Sequence, residues 1–244
     1  MTLVAHSGEH WSALVDAASA PYRDVDRFAW RFARGKLGFD PIFRHLLSQG
    51  LIAPHARVLD IGCGQGLLAN LLRACTAFSQ QGRWPSGWAA APAAAHVTGI
   101  ELAPRDVARA RASLGNAADF VCGDMRHTPF PEADTVVLLD VLHYVSLPEQ
   151  NDVLARVRRA LPVDGCLLLR VGDAAARRGF MLSEWVDAVV ARVRGRRGLP
   201  HSGRTLGEWT AQLEALGFVV HSQPMSRGTP FSNVLLVAKV GATA

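Results

Sequence analysis

The chain has 244 residues, of which 49% are hydrophobic and 19% are charged. This balance agrees with a globular fold that buries a sizeable core. The formal net charge is +5, but only Lys36 and Lys239 are lysines and all other basic residues are arginines, so the charge is weak support for nucleic-acid binding.

The cysteines favour neither disulfides nor a metal centre. Cys63, Cys75, Cys122 and Cys166 have no C-x-x-C spacing and lie in or beside predicted strands, where thiols behave as small apolar residues. The N-terminus lacks a basic start followed by an apolar core, and no apolar run is long enough to span a bilayer. We therefore expect a cytoplasmic protein without a bound metal.

The N-terminal part of the chain predicts three helical segments. Residues 11–18 have amphipathic spacing, and residues 22–34 mix aromatic side chains with arginines. The second segment is either a helix packed on the core or a lid over a cofactor and substrate. Asp40 followed by Pro41 predicts the start of a further helix, which Gly50 ends.

Residues 57–66 read Arg-Val-Leu-Asp-Ile-Gly-Cys-Gly-Gln-Gly. The apolar run around Asp60 predicts a strand buried on both faces, and the leucine spacing that follows predicts a helix. The glycines permit a tight turn and let a ligand lie against bare backbone beside the helix N-terminus. A dinucleotide fingerprint needs a glycine where Leu67 stands, which disfavours a nicotinamide oxidoreductase.

Residues 75–95 lack periodicity and predict an insertion. Trp84 and Trp88 argue against pure disorder, and they either fold over the protein surface or pack against a second subunit in a homodimer. Residues 96–101 then predict a second strand that ends in Glu101. In nucleotide-binding α/β units an acid at this position accepts hydrogen bonds from ribose hydroxyls, and without the insertion its distance from the glycine loop is the usual one.

Two further strands carry candidate functional side chains beyond their ends. Residues 119–125 predict the third strand and its exit, and residues 131–144 predict the fourth strand and its loop. Ligands of open α/β sheets gather outside such strand ends, so we expect a ligand or substrate there. The side chains in question are Asp124 and Met125 after the third strand, and Asp140, His143 and Tyr144 after the fourth.

The remaining chain predicts two capping boxes, at Ser146 and Thr205, each opening a helix. Further strands are expected over residues 166–171, 218–222 and 233–240. Residues 183–194 have helical spacing and end in the arginine cluster 194–197. That cluster is the best candidate for nucleic-acid contact, but a solvated helix end is the commoner explanation.

The stretch 57–66 resembles motif I of the class I S-adenosylmethionine-dependent methyltransferases. The resemblance covers residues 40–172 closely and residues 204–240 in outline. It implies an α/β fold with a doubly wound, Rossmann-like sheet of seven strands, mostly parallel with the last strand antiparallel.

The resemblance also implies a single methyltransferase domain over residues 1–244. Its additions would be an N-terminal helical extension or lid (1–50), the insertion at 75–95 and a cap insertion at 173–203. Substrate identity would depend on these three additions, because the general family pattern does not extend to them.

The implied cofactor is S-adenosyl-L-methionine, with S-adenosyl-L-homocysteine as product. In the family pattern the acid corresponding to Asp60 helps hold the ammonium group, and the glycines line the methionine part. Asp124 would contact the adenine amino group and Met125 would cover the ring. The full set of implied cofactor residues is Asp60, Gly62, Cys63, Gly64, Gly66, Glu101, Leu102, Asp124, Met125 and Asp140.

The expected activity is methyl transfer to a small-molecule acceptor at oxygen, nitrogen or carbon, by in-line displacement. The chain resembles small-molecule methyltransferases of bacterial secondary metabolism, and faintly those beside aryl-polyene or xanthomonadin-type pigment genes. His143 is the candidate base, with Tyr144 and Asp140 as pocket partners, although a hydrogen-bonded loop histidine is an equal alternative.

Other functions stay open on sequence grounds. After the fourth strand the chain has Asp140-Val141-Leu142-His143 rather than an Asn/Asp-Pro-Pro-Tyr/Phe stretch, which argues against adenine-N6 and glutamine methylation. An RNA or protein methyltransferase that uses the arginine-rich surface is one alternative, and nucleic acid is the less favoured partner. A non-catalytic module on the same fold is the other.

Overall fold

A computed structural model describes residues 2–172, 203–225 and 233–241, with side chains from residue 8 onward. The chain divides into two compact units, Met1–Thr128 (unit 1) and Pro129–Ala244 (unit 2). The predicted helix at 183–194 and its arginine cluster lie outside the described residues, as does nearly all of the cap insertion.

Unit 1 contains helices and three parallel strands. The helices are α1 (Thr2–Ser19), α2 (Arg27–Phe39), α3 (Pro41–Ser48), α4 (Leu67–Gln80) and α5 (Pro104–Leu114), with a short 3-10 helix at Ala20–Asp24. The strands are β1 (Arg57–Ile61), β2 (His96–Glu101) and β3 (Asp119–Cys122). β1 pairs with β2 and β2 with β3, and apolar side chains on β1 and β2 are almost completely buried.

Unit 2 contains the remaining strands. They are β4 (Thr135–Leu139), β5 (Cys166–Gly172), β6 (Phe218–Pro224) and β7 (Asn233–Val240). Helix α6 (Leu147–Ala160) precedes β5, helix α7 (Leu206–Ala215) precedes β6, and a 3-10 helix covers Leu142–Tyr144. β4 pairs in parallel with β5, whereas β7 is antiparallel to both β5 and β6.

The seven strands form one sheet in the order β3-β2-β1-β4-β5-β7-β6. This confirms the predicted fold class, a mostly parallel Rossmann-like sheet whose last strand runs antiparallel. Both predicted capping boxes are also present, because Ser146 and Thr205 each exchange hydrogen bonds with a glutamate three residues on.

The N-terminal helices differ from the prediction in their bounds. α1 extends over Thr2–Ser19 rather than 11–18. The segment predicted as one helix over 22–34 is divided, because the Asp26 side chain accepts a hydrogen bond of 2.6 Å from the Ala29 N–H and thereby starts α2 afresh.

The predicted insertion begins later than expected. Residues 75–80 continue α4 instead of leaving it, because Cys75 and Phe78 extend the buried face begun by Leu71. The insertion proper therefore covers residues 81–95.

The insertion packs on its own unit. The Trp88 ring lies 6.2 Å from that of Trp11 on α1 and 5.5 Å from that of Trp84, and the Trp84 indole N–H donates to the Ala89 carbonyl at 2.8 Å. Backbone hydrogen bonds from the Ala89 N–H to the Ser48 carbonyl and from the His55 N–H to the Ala93 carbonyl fasten its second half. Within the chain, the tryptophans thus fold over the surface of their own unit, as the first alternative states.

Among the described helices, none has the length and apolarity needed to cross a membrane. The described residues also contain no group of three or more His, Cys, Asp or Glu side chains arranged to hold a metal ion.

Candidate functional site

The glycine loop leaves β1 in a conformation that only glycine adopts without strain. The φ angles of Gly62, Gly64 and Gly66 are 79°, 55° and 80°. The N–H groups of Gly62 and Cys63 both donate to the Ile100 carbonyl on β2, at 2.7 and 3.2 Å. The loop is thereby fixed to the end of the neighbouring strand.

The glycines differ in what surrounds them. A Cβ atom on Gly66 would lie 3.1 Å from both Ala110 and Phe120, so this position is bare because α5 and β3 pack against it. A Cβ atom on Gly64 would meet nothing within 4 Å. The backbone of Gly64 therefore faces open space, as a ligand-binding loop requires.

Two buried carboxyl groups flank the loop. Asp60 at the end of β1 is 6% exposed, and Glu101 at the end of β2 is 9% exposed. Burial, and then the nearby charge of Glu101, raise the pKa of Asp60 from 3.8 to about 7. Burial is also the main reason that the pKa of the Cys63 thiol lies well above its usual value, so this thiol stays protonated.

The two carboxyl groups have different partners. Glu101 accepts hydrogen bonds from the Gly64 N–H at 3.1 Å and the Ala103 N–H at 2.8 Å. Among the described residues, no hydrogen bond reaches the Asp60 carboxyl group. A buried acid of this kind is best satisfied by a cationic ligand, which would favour its charged form.

The exit of β3 joins the same loop cluster through the backbone, because the Gly123 N–H donates to the Glu101 carbonyl at 3.0 Å. The Asp124 carboxylate is held by Arg126, with contacts of 3.0 Å from Nε and 2.6 Å from the terminal guanidinium nitrogen. These bonds hold the pKa of Asp124 below its usual value. Met125 is half-buried and Leu102 is 47% exposed.

The second set of predicted residues belongs to unit 2. Asp140, just beyond β4, has a φ of 58° and accepts two hydrogen bonds from the guanidinium of Arg170, one of them from Nε at 2.9 Å. Arg170 on β5 is 2% exposed, so the ion pair is anchored inside the unit.

His143 and Tyr144 lie together in the 3-10 helix that follows Asp140, and their ring centroids are 4.1 Å apart. Gln150 of α6 holds this helix, because its amide donates to the carbonyls of Leu142 and Val145 at 3.1 and 3.2 Å. The loop beyond β4 is thus fixed by one buried arginine and one buried glutamine.

Sequence reasoning missed several of these supporting residues. Arg170 interrupts an otherwise apolar strand, and Asn70 and Gln65 are polar yet fully or almost fully buried. A polar residue at a position that the pattern assigns to the core is the signal that identifies such partners. Arg126, in contrast, gives no signal, because a turn arginine is common.

Comparison with known proteins shows which family the sequence around this site resembles. Residues 59–169 match a family model described as "Methyltransferase domain". The matched region begins within β1 and contains the glycine loop and the residues singled out at the ends of β2, β3 and β4.

Two curated relatives align with about half of this chain. Carboxy-S-adenosyl-L-methionine synthase of Chromohalobacter salexigens is 34% identical over 130 residues, which cover 49% of this chain and 43% of that protein. Trans-aconitate 2-methyltransferase of Methylobacterium nodulans is 30% identical over 128 residues, which cover 52% and 43%. The chain therefore spans less than half the length of these curated relatives.

A solved structure extends the likeness of fold to most of the chain. An O-methyltransferase family protein from Burkholderia thailandensis has a TM-score of 0.61 at 18% identity, covering 91% of this chain and 63% of that chain. At this identity the comparison concerns the fold alone.

Proposed function

We propose that the protein is a class I, S-adenosylmethionine-dependent methyltransferase that transfers a methyl group to a small-molecule acceptor, since residues 59–169 match a methyltransferase domain. The observation that carries the proposal is the pair of buried carboxyl groups beside the glycine loop. Asp60 and Glu101 oppose each other's charge there, and a cationic donor would relieve that opposition.

The residues present fit the methionine half of this cofactor. Asp60 would accept hydrogen bonds from its ammonium group, and the exposed backbone at Gly64 leaves room for its chain. Gly62, Cys63 and Gly66 complete the loop, and the N-terminus of α4 adds a partial positive charge suited to the carboxylate.

The nucleoside half would lie along the ends of β2 and β3. Glu101 would bind the ribose hydroxyls, with Leu102 beside it, while Asp124 and Met125 would contact the adenine. Asp124 already receives hydrogen bonds from Arg126, so the adenine amino group would share that carboxylate with the guanidinium. A carboxylate has enough lone pairs for both partners.

The acceptor would be handled by Asp140, His143 and Tyr144. S-adenosylmethionine, when bound, supplies a methyl carbon already activated by the sulfonium, so the protein's task is alignment, which can contribute about 7–11 kcal/mol. His143 would remove a proton from a hydroxyl or phenol acceptor. Asp140 would act as a fixed wall of the pocket, because Arg170 holds its carboxylate.

Ion pairs at some of the described arginines support a small acceptor rather than RNA. Described arginines on several elements are committed to carboxylates, including Arg34 with Asp16, Arg109 with Asp26 and Arg156 with Asp152. Such ion pairs reduce the number of guanidinium groups that could neutralise phosphates.

One comparison supports a second candidate. The first curated relative is named for making carboxy-S-adenosyl-L-methionine, so this chain could modify the same donor rather than use it to methylate an acceptor. The two activities leave different products, since methyl transfer releases S-adenosyl-L-homocysteine and donor modification does not.

The test combines calorimetry with product analysis. The purified protein is titrated with S-adenosylmethionine and with S-adenosyl-L-homocysteine, and is then incubated with the donor and a panel of phenols, amines and carboxylic acids. We expect binding of both ligands, followed by S-adenosyl-L-homocysteine release that requires one acceptor class. Absence of binding would refute the proposal, and a carboxylated donor without homocysteine product would favour the second candidate.

A further inference from the structure

Gln65 lies between two glycines of the loop and is held from both sides by a segment more than thirty residues upstream. The Tyr22 hydroxyl donates to the Gln65 carbonyl at 2.7 Å, and the Gln65 side-chain amide donates to the Ala29 carbonyl at 2.9 Å. Tyr22 belongs to the 3-10 helix after α1, and Ala29 to the first turn of α2.

The same hydroxyl is locked by a buried network. Asn70 of α4 donates to the Tyr22 oxygen at 2.9 Å and to the Ser113 hydroxyl at 2.9 Å. Tyr22 and Asn70 are fully buried, and Gln65 is 3% exposed. Burial raises the pKa of the Tyr22 hydroxyl above its usual value, so it keeps the proton that it donates to the loop.

A second contact fastens the segment that carries Tyr22 and Ala29. Arg109 of α5 is 7% exposed; its Nε donates to the Asp26 carboxylate at 2.9 Å, and a terminal guanidinium nitrogen forms an ion pair with the same carboxylate at 2.8 Å. Asp26 is also the N-cap of α2, so one carboxylate fixes both the start of the helix and its position on α5. Residues 20–29 are therefore secured independently of the glycine loop.

The need for such support follows from the composition of the loop. Three of the five residues from 62 to 66 are glycines with positive φ, and such a loop has many alternative conformations. A binding loop that must be ordered by its ligand loses part of the binding free energy, whereas a loop ordered beforehand does not.

We propose that Tyr22 and Gln65 are positioning residues that preorganise the glycine loop, so that residues 20–29 set the affinity for the methyl donor. The inference rests on the proposed function, because it assigns the loop to S-adenosylmethionine. Neither residue needs to touch the donor for this role.

The experiment compares Tyr22→Phe with the matched control Ser113→Ala. Both variants remove one hydroxyl from the same buried network, but only the first removes a bond to the loop. We expect Tyr22→Phe to raise the Kd for S-adenosyl-L-homocysteine about five-fold, as loss of one hydrogen bond predicts, and to raise the KM for the donor while kcat at saturation is kept. Ser113→Ala keeps the bond from Tyr22 to Gln65, so it should change both constants less than Tyr22→Phe does.

Amide hydrogen exchange gives a readout without ligand. Peptides that contain residues 62–66 should exchange faster in Tyr22→Phe than in Ser113→Ala, at equal thermal stability. Gln65→Met, which removes the bond to Ala29 but keeps the length of the side chain, should change exchange and Kd in the same direction.

The outcomes separate the two proposals. If the wild-type chain binds neither donor nor product, the proposed function fails and this inference fails with it. If the wild type binds, and Tyr22→Phe matches Ser113→Ala in Kd, KM and loop exchange, the function stands and the positioning role is refuted.

Discussion

Burial and the nearby charge of Glu101 disfavour the ionised form of Asp60, and a bound cation would favour it. Replacing it by asparagine keeps the shape but removes the charge, so we expect Asp60→Asn to weaken donor binding about 10- to 100-fold, the range for a charged hydrogen bond. Calorimetry with S-adenosylmethionine measures this loss. Asp119→Asn, which changes an exposed acid of the same unit, is the matched control and should bind normally.

The pKa of Asp60, about 7 against 3.8 in the unfolded chain, also fixes the sign of two pH effects. Between about pH 4 and 7, without ligand, Asp60 is protonated in the native state and ionised in the unfolded state. The free energy of unfolding therefore falls as pH rises over this range, by up to about 1.4 kcal/mol per pH unit. Donor affinity should rise as pH passes through 7, because the ionised acid binds the cation. Both slopes should vanish in Asp60→Asn, and a persistent slope there would assign them to another group.

His143 is predicted to act as base, and its neighbours make that role testable. With a phenol or hydroxyl acceptor, His143→Ala should lower kcat about 100-fold, as expected for loss of general base catalysis. The donor Kd should not change. If the variant retains full turnover at saturating acceptor, His143 is a structural loop residue packed on Tyr144.

The buried guanidinium of Arg170 holds the Asp140 carboxylate, so replacing Arg170 should lower the stability of the protein. We expect Arg170→Met to lower the free energy of unfolding by about 2 kcal/mol, less than for a fully buried pair because Asp140 is one-third exposed. Urea denaturation measures the change. The double variant Arg170→Met/Asp140→Asn should recover part of it, and an unchanged midpoint in the single variant would contradict the anchoring role.

At the scale of elements, the insertion is a folded part of unit 1 held by its tryptophans. Trp88→Ala removes two aromatic contacts and the stacking of Arg44, so we expect a loss of about 2 kcal/mol in the free energy of unfolding. Phe39→Ala, at a position that is 87% exposed, should lose little and serves as control. Equal effects of the two substitutions in a denaturant titration would contradict this account.

The strands were predictable from sequence because each is a short apolar run bounded by turn residues or an acid. The start of the insertion could not be predicted in this way. Cys75 and Phe78 continue the buried face of the helix, but the alanines and serines around them hide its helical spacing in the sequence. The break before α2 was also missed, because Asp26 is read as one charge among several until its carboxylate is seen to cap the helix.

At the scale of the whole molecule, the arguments for RNA are the net charge of +5 and the arginine cluster 194–197, which lies outside the described residues. Since the described arginines named above are paired with acids, we expect only non-specific binding of RNA, with a Kd of about 10⁻⁵ M or weaker near 0.15 M salt. Filter binding with a labelled oligonucleotide over a salt series measures it. Tight binding that survives high salt would favour the RNA alternative.

The residues proposed to bind the cofactor could be picked out from sequence because they lie at the ends of successive strands, in stretches that resemble the family. Asp60, Glu101 and Asp124 each follow from a single rule, that ligands gather at the carboxyl ends of strands. The supporting residues did not follow, since Tyr22 and Gln65 are joined only through the fold. No pattern within either segment indicates the other.

The bond between Tyr22 and Gln65 has a consequence for how this protein can be dissected. A fragment that starts at Asp40 would keep the entire family match, yet it would strip the Gln65 carbonyl and amide of their intramolecular partners. The region shared with relatives is therefore smaller than the piece that keeps both hydrogen bonds to Gln65. Fragments prepared for crystallisation or recombination should therefore keep the first forty residues together with the glycine loop.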